Sequence, residues 1–219
     1  RRIMDTKDRG KRIEEIAVEL TKELSVVDTP GELDSIRRVH EIFSEMDYYK
    51  ENPQDLRYVD LNDSLGRKSL LTILRGRKGF SKKTVIMIGH TDTVGIADYG
   101  TLKEYANKPY ELTKRLKDIA HTLPEEAKKD LESGDYLFGR GLFDMKTGDA
   151  IIIALMEEIS KDLDSFEGNL IFAAVCDEEG NSGGMLSVVP ELVKLQEREG
   201  FEYLALIDTD YMTSEFPGD

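Results

Sequence analysis

Apolar residues recur along the chain with two distinct periods. Ile13, Ile16, Ala17, Leu20 and Leu24 fall on one stripe of a helix spanning residues 8–25. Val26-Val27-Asp28 breaks it. Thr29-Pro30-Gly31-Glu32 then has the form of a capping box, with Thr29 as N-cap and Glu32 reaching back. A second helix is predicted to run to about Tyr49, with Leu33, Ile36, Val39, Ile42, Phe43 and Met46 inward. His40 lies beside that stripe as a structural or exposed residue, and Asn52-Pro53 ends the helix. Three strands follow: Leu56 to Leu61, Ser69 to Leu74 beyond a turn at Gly66, and Thr84 to Ile88 running into His90. The basic residues between the last two (Arg75, Arg77, Lys78, Lys82, Lys83) read as a solvated hairpin tip.

Residues 96–135 lose the pattern. They are polar, are broken by Pro109 and Pro124, and predict a long loop with short helices near 111–120 and 124–133. Such a loop is either a lid or a surface insertion, and His121 within it is expected to be exposed. Periodicity then returns. Ile151, Ile152, Leu155, Met156 and Ile159 make a helix face, and Asn169 to Val175 a buried strand. Gly183-Gly184 opens a helix through Met185, Leu186, Val189, Leu192 and Leu195, and Tyr203 to Ile207 makes a last strand. This alternation predicts an α/β fold, a mostly parallel central sheet flanked by helices.

Composition narrows the function classes. The 219 residues are 39% hydrophobic, enough for one domain with a substantial core. Thirty basic against 44 acidic residues give a net charge of −14, which argues against nucleic acid or an anionic membrane as partner. No apolar run reaches the length of a membrane span, and no signal-peptide pattern is seen. Cys176 is the single cysteine, so no internal disulfide forms, which fits the cytoplasm. The chain opens at Arg1 without Met and stops at Asp219 just past a motif, so it is expected to be part of a longer protein.

The chemistry collects where strands end. His90 and Asp92 close one strand, Glu178 and Glu179 follow another, and Asp208 and Asp210 a third. Asp144 sits among Gly139, Gly141 and Gly148. In a parallel sheet these ends share one edge, where open α/β sheets build their sites. So many acids at one edge repel each other unless one or two divalent cations intervene. One imidazole among carboxylates suits zinc, with cobalt or manganese as alternatives. In the Glu178-Glu179 pair one acid can bind metal while the other acts as a base.

Three motifs in this order, His90-Thr-Asp92-Thr-Val94, Gly141-Leu-Phe-Asp144-Met-Lys-Thr-Gly148 and Asp177-Glu-Glu179-Gly180, resemble the co-catalytic zinc peptidase and deacylase family. That family includes acetylornithine deacetylase, succinyl-diaminopimelate desuccinylase, aminoacylase-1 and the glutamate carboxypeptidases. The tail from Leu206 to Asp219 and the long insert look most like the arginine-utilization branch. The resemblance implies roles. His90 would bind one metal, Asp144 would bridge two zinc ions, and Glu179 would bind the second. Asp208, with Asp210 as fallback, would complete the first site. Asp92 would orient His90, and Glu178 would be the general base. It also implies a cis peptide bond at Asp144–Met145. The family's distal His has no counterpart after Asp210, so residues 1–219 would be one portion of a catalytic domain. The lid domain, through which a homodimer would form, would lie elsewhere, and this portion alone would be inactive.

The expected activity is metal-dependent cleavage of an amide bond in an N-acyl amino acid or small peptide, in arginine catabolism on the resemblance. Two rivals stand beside it. One is a non-catalytic metal-binding relative acting as scaffold or binding protein. The other is an acidic edge that holds no metal.

Overall fold

The computed structural model describes residues 5–211. Five strands form one mixed sheet in the order β1-β2-β4-β3-β5. They are β1 (Leu56–Asp60), β2 (Lys68–Arg75), β3 (Lys83–His90), β4 (Asn169–Val175) and β5 (Glu202–Asp208). The pairs β3·β4 and β3·β5 are parallel, whereas β1·β2 and β2·β4 are antiparallel. The parallel portion expected from the alternating pattern is thus the β4-β3-β5 half, where His90 lies. Next to it β2 runs in the opposite sense, and β1 turns back to the direction of β4, because a short turn around Gly66 can join only antiparallel neighbours.

β2 and β4 are apolar on both faces because both faces are covered. Leu70, Leu74, Leu170, Phe172 and Ala174 point into one core, shared with α1 (Thr6–Thr21), α2 (Gly31–Ser44), α3 (Asp47–Glu51) and α6 (Thr147–Ser160). Leu71, Ile73, Ile171, Ala173 and Val175 point into the other, beneath α7 (Gly183–Glu199). The chain therefore leaves β3 through α6 on one face and leaves β4 through α7 on the opposite face. β4 and β5 end up on either side of β3, and this switch opens a crevice beyond the carboxyl ends of the parallel strands.

Several stripes differ from the periodic reading. α1 stops at Thr21, short of Leu24. There the buried Lys146 ammonium donates to the Leu20 and Glu23 carbonyls at 3.1 and 2.8 Å, and Val26 leaves to bridge Thr93. The second predicted helix is two, broken at Glu45–Met46, so that Tyr48 can turn inward and donate to Asp55. α6 buries Ile152, Ile153 and Met156 but leaves Ile151 and Leu155 exposed. α7 buries Val188, Leu192 and Leu195, while Leu186 and Val189 face outward. β5 is an edge strand with Leu204 and Leu206 exposed. The insert carries α4 (Pro109–Asp118) and α5 (Glu125–Ser133), close to expectation, and buries Ala106, Leu112 and Leu131. His121 is exposed and His40 stacks on Tyr58 at 4.9 Å, both as expected. Among the described residues, no helix is long and apolar enough to cross a membrane.

The capping box takes another form. Thr29 Oγ1 donates to the Val26 carbonyl, and Glu32 is fully buried instead of capping its own helix. Its carboxylate accepts from the Asp28 and Asp177 amides, both at 2.8 Å, and from Arg67 at 3.1 Å. Arg67 also donates to Asp177 at 2.8 Å and to Asp63. Asp177, at φ 61°, accepts from Gly183 N with its other oxygen and so ties the start of α7 to this knot. Arg67 is the shared cation beneath the Glu178-Glu179 turn. Arg67→Met is expected to destabilise the fold by about 3–5 kcal/mol, since it strands two buried carboxylates. An unfolding free energy from urea titration within about 1 kcal/mol of the parent would contradict this role.

Candidate metal centre

β3 ends by placing His90 in the crevice, 2% exposed. Gly89 before it leaves room for a carboxylate: a Cβ there would lie 2.0 Å from Asp149 Oδ1. His90 Nδ1 is 3.0 Å from the backbone carbonyl of Asp92. A carbonyl only accepts, so Nδ1 carries the proton. Nε2 then faces Asp144 Oδ1 at 2.9 Å. On a neutral imidazole these two atoms are both acceptors. Only a proton or a cation between them resolves the contact. Burial opposes the charged imidazolium, but Asp92, Asp149, Glu178 and Asp144 together outweigh it and raise the His90 pKa.

Asp144 reaches this position from a tight turn. Gly141 has φ 81°, and Leu142–Lys146 forms a single irregular helical turn before α6. The Asp144–Met145 bond is cis, as the resemblance implies. From β4, the chain turns at Asp177 into Glu178 and Glu179. Asp92 holds that turn: its carboxylate accepts the Glu178 amide at 3.1 Å and the Glu179 amide at 3.0 Å. The Asp92 carboxylate lies 3.7 Å from His90 Nδ1, so its backbone carbonyl, not its side chain, orients the ring. Glu178 Oε2 lies 3.8 Å from His90 Nε2 on an exposed side chain. Burial, then Asp92, Asp210 and Asp144, raise the Glu178 pKa against the pull of His90. Glu179 is half-buried, and burial followed by Asp144 raises its pKa too.

After β5 the order of the two acids reverses expectation. Asp210 Oδ2, not Asp208, approaches His90 Nε2, at 3.8 Å. Asp208 is exposed, and its Oδ1 accepts the Asp210 amide at 3.1 Å. Strand alternation alone would put Asp208 and Asp210 on the same face. The pairing of Asp208 with Ile88 continues the β5 ladder, and two residues further the chain has left the sheet and bent over the crevice. One ligand atom each from His90, Asp144 and Asp210 lie within 4.8 Å of one another. The crevice thus gathers a histidine nitrogen and several carboxylates that repel one another, a donor set suited to a divalent cation.

Two charged residues escaped the sequence reading. Lys146, just before α6, and Asp149, in its first turn, are both buried. Neither Asp149 oxygen has a hydrogen-bond partner, and burial pushes its pKa up to about 8 against the pull of His90 and Lys146. An acid directly before Ala150, Ile152 and Ile153 was the available signal. An unfolded Asp titrates near 3.9. Between about 4 and about 8 the folded chain therefore holds a proton that the unfolded chain has lost, and stability falls as pH rises through that window. In chelator-treated protein, Asp149→Asn is expected to flatten that decline. Parallel stability profiles for the two proteins between pH 5 and about 8 would contradict it.

Residues 86–215 match peptidase family M20/M25/M40. The chain belongs to that family. Two Bacillus subtilis proteins align over most of it: uncharacterized protein YqjN at 36% identity over 89% of the chain, and protein RocB at 33% over 96%. The chain spans 35% and 37% of those relatives' lengths. A succinyl-diaminopimelate desuccinylase from Cupriavidus pinatubonensis is 30% identical over 59% of the chain and 29% of its own length. The solved structure of the dipeptidase Dug1p from Saccharomyces cerevisiae shares the fold, with TM-score 0.61 at 17% identity over 93% of this chain and 39% of that one. The match covers the end of β3 with His90, the Asp144 turn, β4, α7 and β5, the elements that build the crevice.

Proposed function

We propose that the chain is the metal-binding portion of a dinuclear zinc amidohydrolase that cleaves an N-acyl amino acid or small peptide. The observation that carries this reading is the contact of His90 Nε2 with Asp144 Oδ1 at 2.9 Å, with Asp210 beside them. His90, Asp144 and Asp210 would hold one cation, and Asp144 and Glu179 would reach the second. Asp210 replaces Asp208 in this assignment because it is the acid that approaches the imidazole. Bound zinc would supply Lewis acidity toward the amide carbonyl and acidify water.

The chain's own residues would do the rest. Glu178, exposed at the crevice with its pKa raised by burial and neighbouring acids, would take a proton from the attacking water and deliver it to the leaving amine. Asp92 would fix Glu178 and Glu179 through their amides and His90 through its carbonyl. The Glu32–Arg67–Asp177 knot would keep that turn rigid from below. A cytoplasmic setting, a place in arginine catabolism and a homodimer formed through a separate domain complete the proposal. They rest on the resemblance and on the single buried thiol of Cys176.

The test is turnover by the full-length protein of N-acyl amino acids and dipeptides, before and after chelation. Cleavage that stops on chelation and returns with zinc is the expected result. Bound zinc without cleavage of any amide would favour the non-catalytic scaffold.

A further inference from the structure

Beside the crevice lies a cavity of ≈ 970 Å³, at the upper end of the range for small-molecule sites. His90, Asp144 and Asp210 do not line it, but the residues next in sequence to two of them do. Phe143 precedes Asp144, Tyr211 follows Asp210, and their rings, 4.6 Å apart between centroids, both line the cavity. The floor is α1 and α6, through Ile13, Ala17 and Ile151. The roof is the insert, through Leu112, Leu116 and Ala127. This surface explains why Ile151, placed by its period among the core residues of α6, stands 44% exposed. Charged residues on the lining are Glu14, Asp130 and Asp135, all acids. A shallower groove of ≈ 460 Å³ continues from Ile13 and Ile151 along α6 past Leu155.

We propose that this cavity receives an uncharged apolar group of the amide substrate, seated between the insert and α1 while the amide lies at the crevice. The inference rests on the hydrolase reading of the adjoining site. Its grounds are separate: an apolar wall, aromatic residues next in sequence to two candidate ligands, and a rim whose only charges would repel a carboxylate. The insert, otherwise a lid or a surface addition, becomes the specificity wall. The apolar group belongs either to the acyl chain or to the amino-acid side chain, and the two sources are separable by experiment.

The test uses full-length, zinc-loaded protein and two substrate series. One lengthens the acyl chain of N-acylglycines from acetyl to octanoyl, with N-succinylglycine included. The other enlarges the side chain of N-acetyl amino acids from glycine to leucine and phenylalanine. Each buried methylene is expected to raise kcat/KM by about fourfold in one series. N-succinylglycine should fall below N-butanoylglycine. Ala127→Trp and, independently, Leu116→Glu should bring the ratio of longest to shortest substrate close to unity. Calorimetry of octanoylglycinamide with chelator-treated protein supplies a readout without hydrolysis. Binding that Ala127→Trp abolishes, with no turnover of any amide, would keep the cavity assignment and defeat the hydrolase reading. Turnover that is flat in both series, preference for succinyl, or no binding of the octanoyl amide would overturn the cavity assignment. The last outcome is also the one expected if another segment of the protein fills the space.

Discussion

Glu178→Gln in the full-length protein should lower kcat by about a thousandfold or more and leave the metal content unchanged. The expectation follows from placement. Glu178 stands at the crevice with Oε2 3.8 Å from His90 Nε2, yet its side chain is exposed and no hydrogen bond occupies it among the described residues. A group held in this way is free to move a proton. General acid–base catalysis is worth about 10²–10⁴-fold, and a Gln of the same shape removes that function alone. The amide of residue 178 would still donate to Asp92, so the turn should keep its geometry. The check pairs steady-state kinetics with elemental analysis of the same sample. Retained turnover would take Glu178 out of the reaction. Lost metal would make it a ligand instead.

Asp144→Asn should cost the protein at least one equivalent of bound metal. Asp144 is the acid closest to the imidazole, and its carboxylate also raises the pKa of Glu178 and Glu179. On the proposed assignment it bridges two cations, so its loss should reduce bound zinc from about two equivalents to one or fewer and abolish turnover. The metal also competes with the proton between His90 Nε2 and Asp144. His90 is raised above its usual value, so zinc affinity should rise with pH as that proton is surrendered. Equilibrium dialysis against zinc at two pH values checks both statements. Unchanged stoichiometry in Asp144→Asn, or affinity that falls with rising pH, would contradict them.

Much of this arrangement was legible in the residues. Strands β3 and β4 are apolar because they are largely buried on both faces, and the chemistry begins where the strands end, at His90 and Asp177. The cis bond at Asp144–Met145 was implied by the family resemblance alone. What failed depends on partners distant in sequence. Nothing in Thr29-Pro-Gly-Glu32 announces that Glu32 will take the amide of Asp177, 145 residues away. Asp208 and Asp210 look alike in sequence. Only the point at which β5 leaves the sheet decides which of them turns toward His90. Helix periods located α6 and α7 but not which residues their neighbours would cover. Ile151 lies against the insert's cavity, and no period within α6 reports that. The tail resemblance beyond Tyr211 lies outside the described residues.

The central claim is that residues drawn from four separate stretches of chain form one nest for cations. An anomalous-scattering map of zinc-soaked crystals tests it most directly. The account predicts a peak at about 2.0–2.1 Å from His90 Nε2 that also touches Asp144, with a second peak shared by Asp144 and Glu179. A map with no peak at His90, or with zinc held only by surface residues elsewhere, would contradict it.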